Sequence, residues 1–270
     1  MTRPWPHRAR PWHDGGVSKS RNLPLLLPGE PAEFLVYDEL ERCPYLPEQR
    51  ARLPFRLPVR ALSGEELDKR LEAGDRRNGP LLYKPSCPSC RACEPIRIDA
   101  YRFGLRERHR RTLRRGDREL AIEIGPTVAT EDRVALYNLH LETRGLSQTG
   151  PRMDLEGYRH FLVESCCNSF EIRYYHEGRL AGVAVTDRGA RSLSAVYCYY
   201  DTTLSHLGIG TYSILKQLEL CRHYGLRHLY LGLYVEGCEA MGYKARFYPH
   251  ERLVDGKWRV FDKPPQTAES

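Results

Sequence analysis

"FEIRYYHEGRLAGVAVTDRGARSLSAVYCYYD", residues 170–201, decides the fold. Apolar and polar residues alternate along three runs, and a period of two is the signature of strands half-buried in a sheet. Glu177-Gly178 and Arg188-Gly189 interrupt those runs with dipeptides that suit tight hairpin turns. An antiparallel meander follows from this pattern. The period then changes: in "GIGTYSILKQLELCRHYGL", residues 208–226, Tyr212, Ile214, Leu215, Leu218 and Cys221 recur at helical spacing, and Gly225 offers a left-handed exit. "RHLYLGLYV", residues 227–235, returns to a strand. Upstream, "LAIEIGP" (120–126) reads as a strand, and "EDRVALYNLHLETRG" (131–145) and "LEGYRHFLVESC" (155–166) read as helices.

A meander, a glycine turn, a long helix and a strand in that order predict an α/β fold, an acetyltransferase-like (GNAT) mixed sheet domain spanning residues 119–262. Before it, residues 31–118 form a smaller cysteine-rich N-terminal module. Ser63 and Glu66 are placed as a capping box there, Leu62, Leu67 and Leu71 give an apolar stripe, and Gly74 closes the helix. "EPIRIDAYRF", residues 94–103, alternates as a strand. Residues 1–30 hold five prolines and five arginines or lysines against Asp14 and Glu30, without apolar periodicity, and predict a disordered basic arm. Residues 263–270 predict a flexible tail.

The 270 residues carry a formal net charge of +7. Nine cysteines make an odd set, no charged-then-apolar leader precedes them, and no run reaches the roughly 18 apolar residues of a membrane helix. These features predict a soluble protein of a reducing cytoplasm, with no membrane partner. The charge is concentrated between Arg97 and Arg118, where nine arginines and His109 face Asp99, Glu107 and Asp117. Such a field suits phosphate contacts, and Arg108, Arg110, Arg111, Arg114 and Arg115 are the expected ligands of a nucleic-acid backbone.

Three motifs suggest chemistry. Cys87, Cys90 and Cys93 sit at intervals of three, a spacing that lets thiolates converge on one ion. With Cys43 as fourth ligand they would hold an iron–sulfur cluster or a zinc ion; alternatively they are buried thiols braced by Pro85, Pro88 and Pro95. Gly208 and Gly210 precede the long helix, where backbone amides and the helix dipole favour a donor's phosphate or adenosine, although a tight turn also uses glycine. Of Tyr197, Tyr199, Tyr200, Tyr230 and Tyr234, alternation makes half core, leaving the others for an aromatic wall.

The segments "CPYLP" (43–47), "DRRNGPLLYKPSCPSCRACEPIRIDAYRF" (75–103), "LSAVYCYYD" (193–201), "LGIGTYSILKQLE" (207–219) and "YLGLYVEGCEAMGYKARFYPHERLVDGKW" (230–258) together resemble the aminoacyl-tRNA–protein transferases of the N-degron pathway. The resemblance spans about residues 34–260 and is strongest to the bacterial aspartate/glutamate leucyltransferase branch, related to the arginyltransferases. "TRGLSQTGPRMDLEGY" (143–158) departs from the pattern by lacking a glycine-methionine-tyrosine-proline run. The resemblance implies transfer of leucine or arginine from a charged tRNA to the N-terminal amine of a protein beginning with Asp or Glu, marking it for proteolysis.

Such a reaction requires no cofactor, because an aminoacyl ester is already activated and an α-amine has a pKa of roughly 7.7–8, so positioning contributes most. Asp201 and Glu236, at strand ends, are the candidate bases. An incoming acidic side chain needs cations: Arg77, Lys84, Lys244 and Arg246 are the first candidates, with Tyr83 beside them, while Arg76 reads by default as a surface ion pair. Two rival readings remain. A coenzyme-A-dependent N-acetyltransferase would share the fold and glycine turn, and a non-enzymatic, metal-stabilised RNA-binding protein would bind tRNA without regard to the esterified residue.

Overall fold

Local signals are converted into two sheets in the computed structural model, which describes residues 25–145 and 152–263. Strands β1 (Leu25–Leu27) and β2 (Glu33–Tyr37) pair antiparallel, β3 (Leu40–Arg42) and β4 (Arg50–Arg52) form a side hairpin, and β5 (Phe55–Pro58) returns to β2. Helix α1 (Gly64–Glu72) starts at the expected capping box, with Ser63 accepting from the Glu66 amide and the Glu66 carboxylate accepting from the Ser63 amide. Strands β6 (Arg76–Asn78) and β7 (Leu81–Tyr83) then complete a five-stranded sheet of order β1-β2-β5-β7-β6. Leu25–Leu27 therefore belongs to a sheet and not to the arm expected over 1–30; residues 1–24 of that arm, 264–270 of the tail and 146–151 of the departing loop lie outside the described residues.

The rest of the chain forms the larger layer. In chain order it comprises β8 (Cys93–Asp99), α2 (Glu107–Glu119), β9 (Leu120–Pro126), α3 (Glu131–Thr143), α4 (Leu155–Tyr158) running into a π turn (Arg159–Val163), β10 (Ser169–His176), β11 (Arg179–Arg188) and β12 (Ser192–Tyr200). After a 3-10 turn (Thr202–Leu207) come α5 (Ile209–His223), β13 (His228–Val235), α6 (Glu239–Gly242), a 3-10 turn (Tyr243–Arg246), β14 (His250–Val254) and β15 (Lys257–Phe261). The eight-stranded sheet has the order β15-β14-β8-β13-β12-β11-β10-β9. The fold is thus mixed α/β, with the meander of β10, β11 and β12 antiparallel and β12 parallel to β13. Glu177 and Gly178 both take positive φ, as the first hairpin required. The second joint differs: Gly189 is not left-handed but lies where an added Cβ would meet an Asp68 carboxylate oxygen at 2.0 Å.

Strand β8 sits between β13 and β14, so a segment assigned by sequence to the N-terminal module is a central strand of the larger sheet. The small sheet proper ends at Tyr83. Ile96 and Ile98 of β8 are fully buried with Leu215 and Leu218 of α5 in one core, while Val183, Val185 and Tyr199 join Val134 and Tyr137 of α3 in another. Helices α2 and α5 cross closely because residue 116 is glycine: a Cβ there would lie 2.4 Å from the Tyr212 ring. Leu67 and Leu71 of α1 and Leu82 of β7 close a third core against Tyr230 of β13.

The feature that positions the site is a parting of strands. β12 and β13 pair only from Ser192–His228 to Ser194–Tyr230, yet β12 continues to Tyr200 and β13 to Val235. The register of β13 against β8 also shifts between Tyr230 and Leu233, and Gly232 within the shift has a φ of +88°. A sheet that parts in this way leaves backbone between the two strands outside the ladder.

Candidate active site

Two buried cations converge where β12 and β13 part. Arg76 reaches from β6 of the small sheet and donates from Nη2 to Ser194 Oγ on β12 at 3.3 Å, while among the described residues its Nη1 has no hydrogen-bond partner. Lys244, in the turn after α6, donates from Nζ to the Leu233 carbonyl at 2.7 Å and lies 3.1 Å from Met241 Sδ. The two residues are each 7% exposed. Gly232 marks where they meet: a Cβ built on it would be 3.4 Å from Lys244 Nζ and 3.5 Å from Arg76 Nη2. Among the described residues neither cation forms an ion pair with a carboxylate.

Burial of an unneutralised charge costs several kcal/mol, roughly, even after relaxation, and two like charges add their repulsion. The Lys244 amine shows the cost: desolvation first, then the Arg76 charge, pulls it down to about 7. Desolvation likewise lowers the Arg76 guanidinium. The Asp187 carboxylate, already paired with Arg77, offsets the lowering of Arg76 only in part. Burial pushes the hydroxyls of Tyr45 and Tyr83 up and the Cys93 thiol up to about 12, so these groups stay neutral. A carboxylate entering beside Gly232 would supply the missing negative charge.

Arg77, the neighbour of Arg76, is fully engaged elsewhere. It grips Asp187 on β11 through Nε–Oδ2 at 2.6 Å and Nη2–Oδ1 at 2.8 Å, and also donates to Gly79 O and Ser169 Oγ. Expected to bind an acceptor, it instead clamps the small sheet to the large one, and Arg76, expected on the surface, takes the buried, acid-free place. Strand alternation is the cause, since successive side chains of β6 point to opposite faces. Tyr83 is buried against Phe55, ring centroids 5.4 Å apart. Lys84 and Arg246 are exposed and do not join the pair at Gly232.

Asp201 and Glu236 stand at the ends of the two strands that part. Asp201 caps the following turn, its Oδ1 accepting from the Thr203 amide at 2.9 Å and hydroxyl at 2.6 Å, while Glu236 is exposed. Gly208, left-handed at φ +64°, begins α5, whose N-terminus has no side-chain cap; a Cβ at Gly210 would lie 3.2 Å from the Tyr200 ring. Helix α2 carries the arginine run. Arg110, Arg111 and Arg114 are each more than half exposed around the single carboxylate of Glu107, Arg108 donates to the Arg246 carbonyl, and Arg115 is half-buried. His109 anchors the helix, its ring stacked between Phe103 at 5.4 Å and Phe247 at 5.8 Å and held neutral by burial, down to about 4.

The four thiols divide between two apolar clusters. Cys43, Cys87 and Cys90 pack with Ala51, Tyr45 and Leu46, and Cys93 packs with Leu233, Val235 and Cys238. Each is a free cysteine, and among the described residues no group of three or more His, Cys, Asp or Glu side chains is gathered to hold a metal ion. Among the described residues no helix is long and apolar enough to cross a membrane.

The strands that part at Gly232, the two buried cations beside them and the arginine-rich helix α2 together form the candidate site of a group-transfer enzyme. Residues 41–111 match the family described as arginine-tRNA-protein transferase, N terminus, and residues 132–254 match arginine-tRNA-protein transferase, C terminus. The aspartate/glutamate leucyltransferase of Halorhodospira halophila is 38% identical over 229 residues, covering 84% of this chain and 96% of that protein. Its counterpart from Alkalilimnicola ehrlichii is 35% identical over 241 residues, covering 88% and 95%. Among solved structures, FemX superposes with a TM-score of 0.42 at 8% identity, over 70% of this chain and 64% of that one. The chain belongs to the arginine-tRNA–protein transferase family and is a transferase enzyme.

Proposed function

We propose that this enzyme moves leucine from charged tRNA to the N-terminal amine of proteins beginning with Asp or Glu, marking them for N-degron proteolysis, on an acetyltransferase-like scaffold. The observation that supports the reading is the convergence of Arg76 and Lys244 on Gly232 with no carboxylate paired to either among the described residues. An acceptor's first side chain would enter there as the absent anion. Its amine nitrogen attacks the ester carbonyl carbon, an amide bond forms, the bond to the ribose oxygen breaks, and the amine loses a proton. Asp201 would orient that amine through Oδ2, the oxygen not used in its cap.

Leu233 and Val235, with Leu46 and Met241 packed against them, form an apolar cluster beside Lys244 that suits a leucyl side chain better than an arginyl one. The relatives' names agree. The phosphates of the donor would follow the exposed arginines of α2. A peptide panel with N-terminal Asp, Glu, Asn and Gln, offered mixed radiolabelled aminoacyl-tRNAs or acetyl-coenzyme A, tests this. Leucine should move to Asp and Glu peptides; equal transfer to Asn and Gln, or use of the thioester, would defeat the proposal.

A further inference from the structure

The end of the large sheet opposite the parting strands is built from three turns. There β8 finishes at Asp99, β11 passes into β12 through residues 189–191, and α5 passes into β13 through residues 224–227. Close contacts make them one surface. The Arg227 amide donates to the Arg191 carbonyl at 2.8 Å, the Ala100 amide donates to the Arg227 carbonyl at 2.8 Å, and the Arg188 guanidinium lies 5.0 Å from the Tyr224 ring centroid. Arg222, in the last turn of α5, fixes the segment after β8 by donating to the carbonyls of Ala100 at 2.7 Å and Phe103 at 2.6 Å.

This end is short of counter-charge. Arg102, Arg188, Arg191 and Arg227 are exposed there, and among the described residues the first three form no ion pair, while Arg227 meets Asp99 at 3.1 Å. On the adjoining helix α1, Asp68 is spent on the Arg191 amide and the Ser192 hydroxyl and Glu66 on Arg60, which leaves Glu65 as the exposed acid. Tyr101 and Tyr224 stand 60% and 52% exposed among the guanidinium groups. Arginine forks and tyrosine hydroxyls of this kind suit phosphate and sugar oxygens. The basic surface also continues toward the transfer end, because residues 101–106 lead into α2, its exposed Arg110, Arg111 and Arg114 follow, and Thr112 would lie 3.7 Å from a Cβ on Gly208 at the start of α5. Helix α5 has 15 residues, so Gly208, in the turn that follows β12, and Tyr224, in the basic surface, are about 22 Å apart. A partner that touches both is long and negatively charged along its whole length, as a nucleic-acid duplex is.

We propose that this end, centred on Arg102, Arg188 and Arg191, is a second docking surface for the donor RNA, one that grips the backbone of its duplex about 20 Å from the ester. The assignment rests on the tRNA-dependent transfer proposed above. It gives the stem behind the reactive 3′ end a place to lie, with α2 between the two contacts. Backbone contacts carry no sequence information but fix register and orientation, so their work here is to aim the ester at the acceptor amine.

Equilibrium binding and steady-state transfer by the full-length protein test the assignment, with charged tRNA as donor and an Asp-initiated peptide as acceptor. In the triple variant Arg102→Gln, Arg188→Gln, Arg191→Gln the slope of log affinity for tRNA against log salt should be shallower by about 2–3, and affinity at low salt should fall at least about tenfold. The donor KM should rise in step, while the peptide KM and the kcat at saturating donor hold. An equal loss of charge on the far edge of the sheet, Lys257→Gln, Arg259→Gln, Lys263→Gln, should leave slope and donor KM at their wild-type values. A triple variant that keeps the wild-type slope and donor KM overturns the surface, and so does an equal fall in both variants, which net charge alone would produce. A rise in peptide KM in place of donor KM would give the surface to the acceptor protein and equally overturn it. Should the triple variant fail to fold, the single substitutions decide, each expected to lower the slope by about 0.7–0.9. Absence of salt-dependent tRNA binding by the wild type would instead sink the reading on which the surface rests.

Discussion

The junction of β6 with β11 and the place where β12 leaves β13 each bury one arginine of the same dipeptide, with opposite consequences. At the junction Arg77 meets Asp187 in a bidentate pair whose side chains are 3% and 2% exposed. Between the parting strands Arg76 has Ser194 as its hydrogen-bond partner and no carboxylate within ion-pair distance among the described residues, and Lys244 places a second charge beside it. One region is closed electrostatically and joins two sheets; the other, on the function proposed above, would be completed by an anion. Burial by itself therefore does not separate the two arginines. The paired counter-charge does.

The sharpest way to break the comparison is to open the closed region. Asp187→Ala should strand Arg77 without its partner and destabilise the protein by about 3–5 kcal/mol in denaturant titrations. Retention of full stability would show that the clamp is not what joins the sheets. Between the parting strands the sign should differ: Arg76→Met should leave stability unchanged or raise it, while weakening capture of an Asp-initiated peptide by about 2–5 kcal/mol in kcat/KM. Loss of stability comparable to that of Asp187→Ala would erase the distinction between the regions.

Proton linkage sharpens it further. Because the folded Lys244 amine is pulled down to about 7, the unfolded chain holds a proton there that the folded chain releases at higher pH. The penalty is therefore complete below that value and is relieved as pH rises toward the ordinary lysine range, by at most about 1.4 kcal/mol per pH unit. Stability of the wild type measured against Lys244→Met should thus climb from neutral to alkaline pH, and a flat difference would contradict the buried charge. Binding of an acidic acceptor should stabilise the protonated amine, so KM for Asp peptides should rise with pH above neutrality in the wild type alone. The smallest effect belongs to a third kind of arginine, exposed on α2: Arg111→Gln should alter stability by no more than about 0.5 kcal/mol. It should lower the slope of log affinity for tRNA against log salt by about 0.7–0.9, the loss of one phosphate contact.

Most of the larger sheet was legible in sequence, since the meander, the long helix and the final strand announce themselves through periods of two and 3.6 and through turn residues a few positions away. The β14–β15 hairpin carried weaker signals, and the small sheet is cut into strands of three to five residues, too short for alternation to show. At the site, Lys244 was expected as a cation, and the arginine run was expected as an exposed basic face. Arg77, expected as an acceptor's cation, is paired with Asp187, and Arg76, expected on the surface, is buried. Their spacing carries no information about which face of a three-residue strand meets the parting strands.

Sequence alone settled the α/β class, the order of the main elements and the family resemblance, because each depends on residues near one another along the chain or on motifs read in order. Tertiary structure alone decided which arginine is neutralised: Arg77 finds Asp187 across 110 positions, and Arg76 finds only Ser194 across 118. It also placed β8 inside the larger sheet, between β13 and β14. Whether a charge is satisfied depends on distances of a few ångströms between segments that local patterning cannot relate, and the low dielectric of the interior makes those distances decisive.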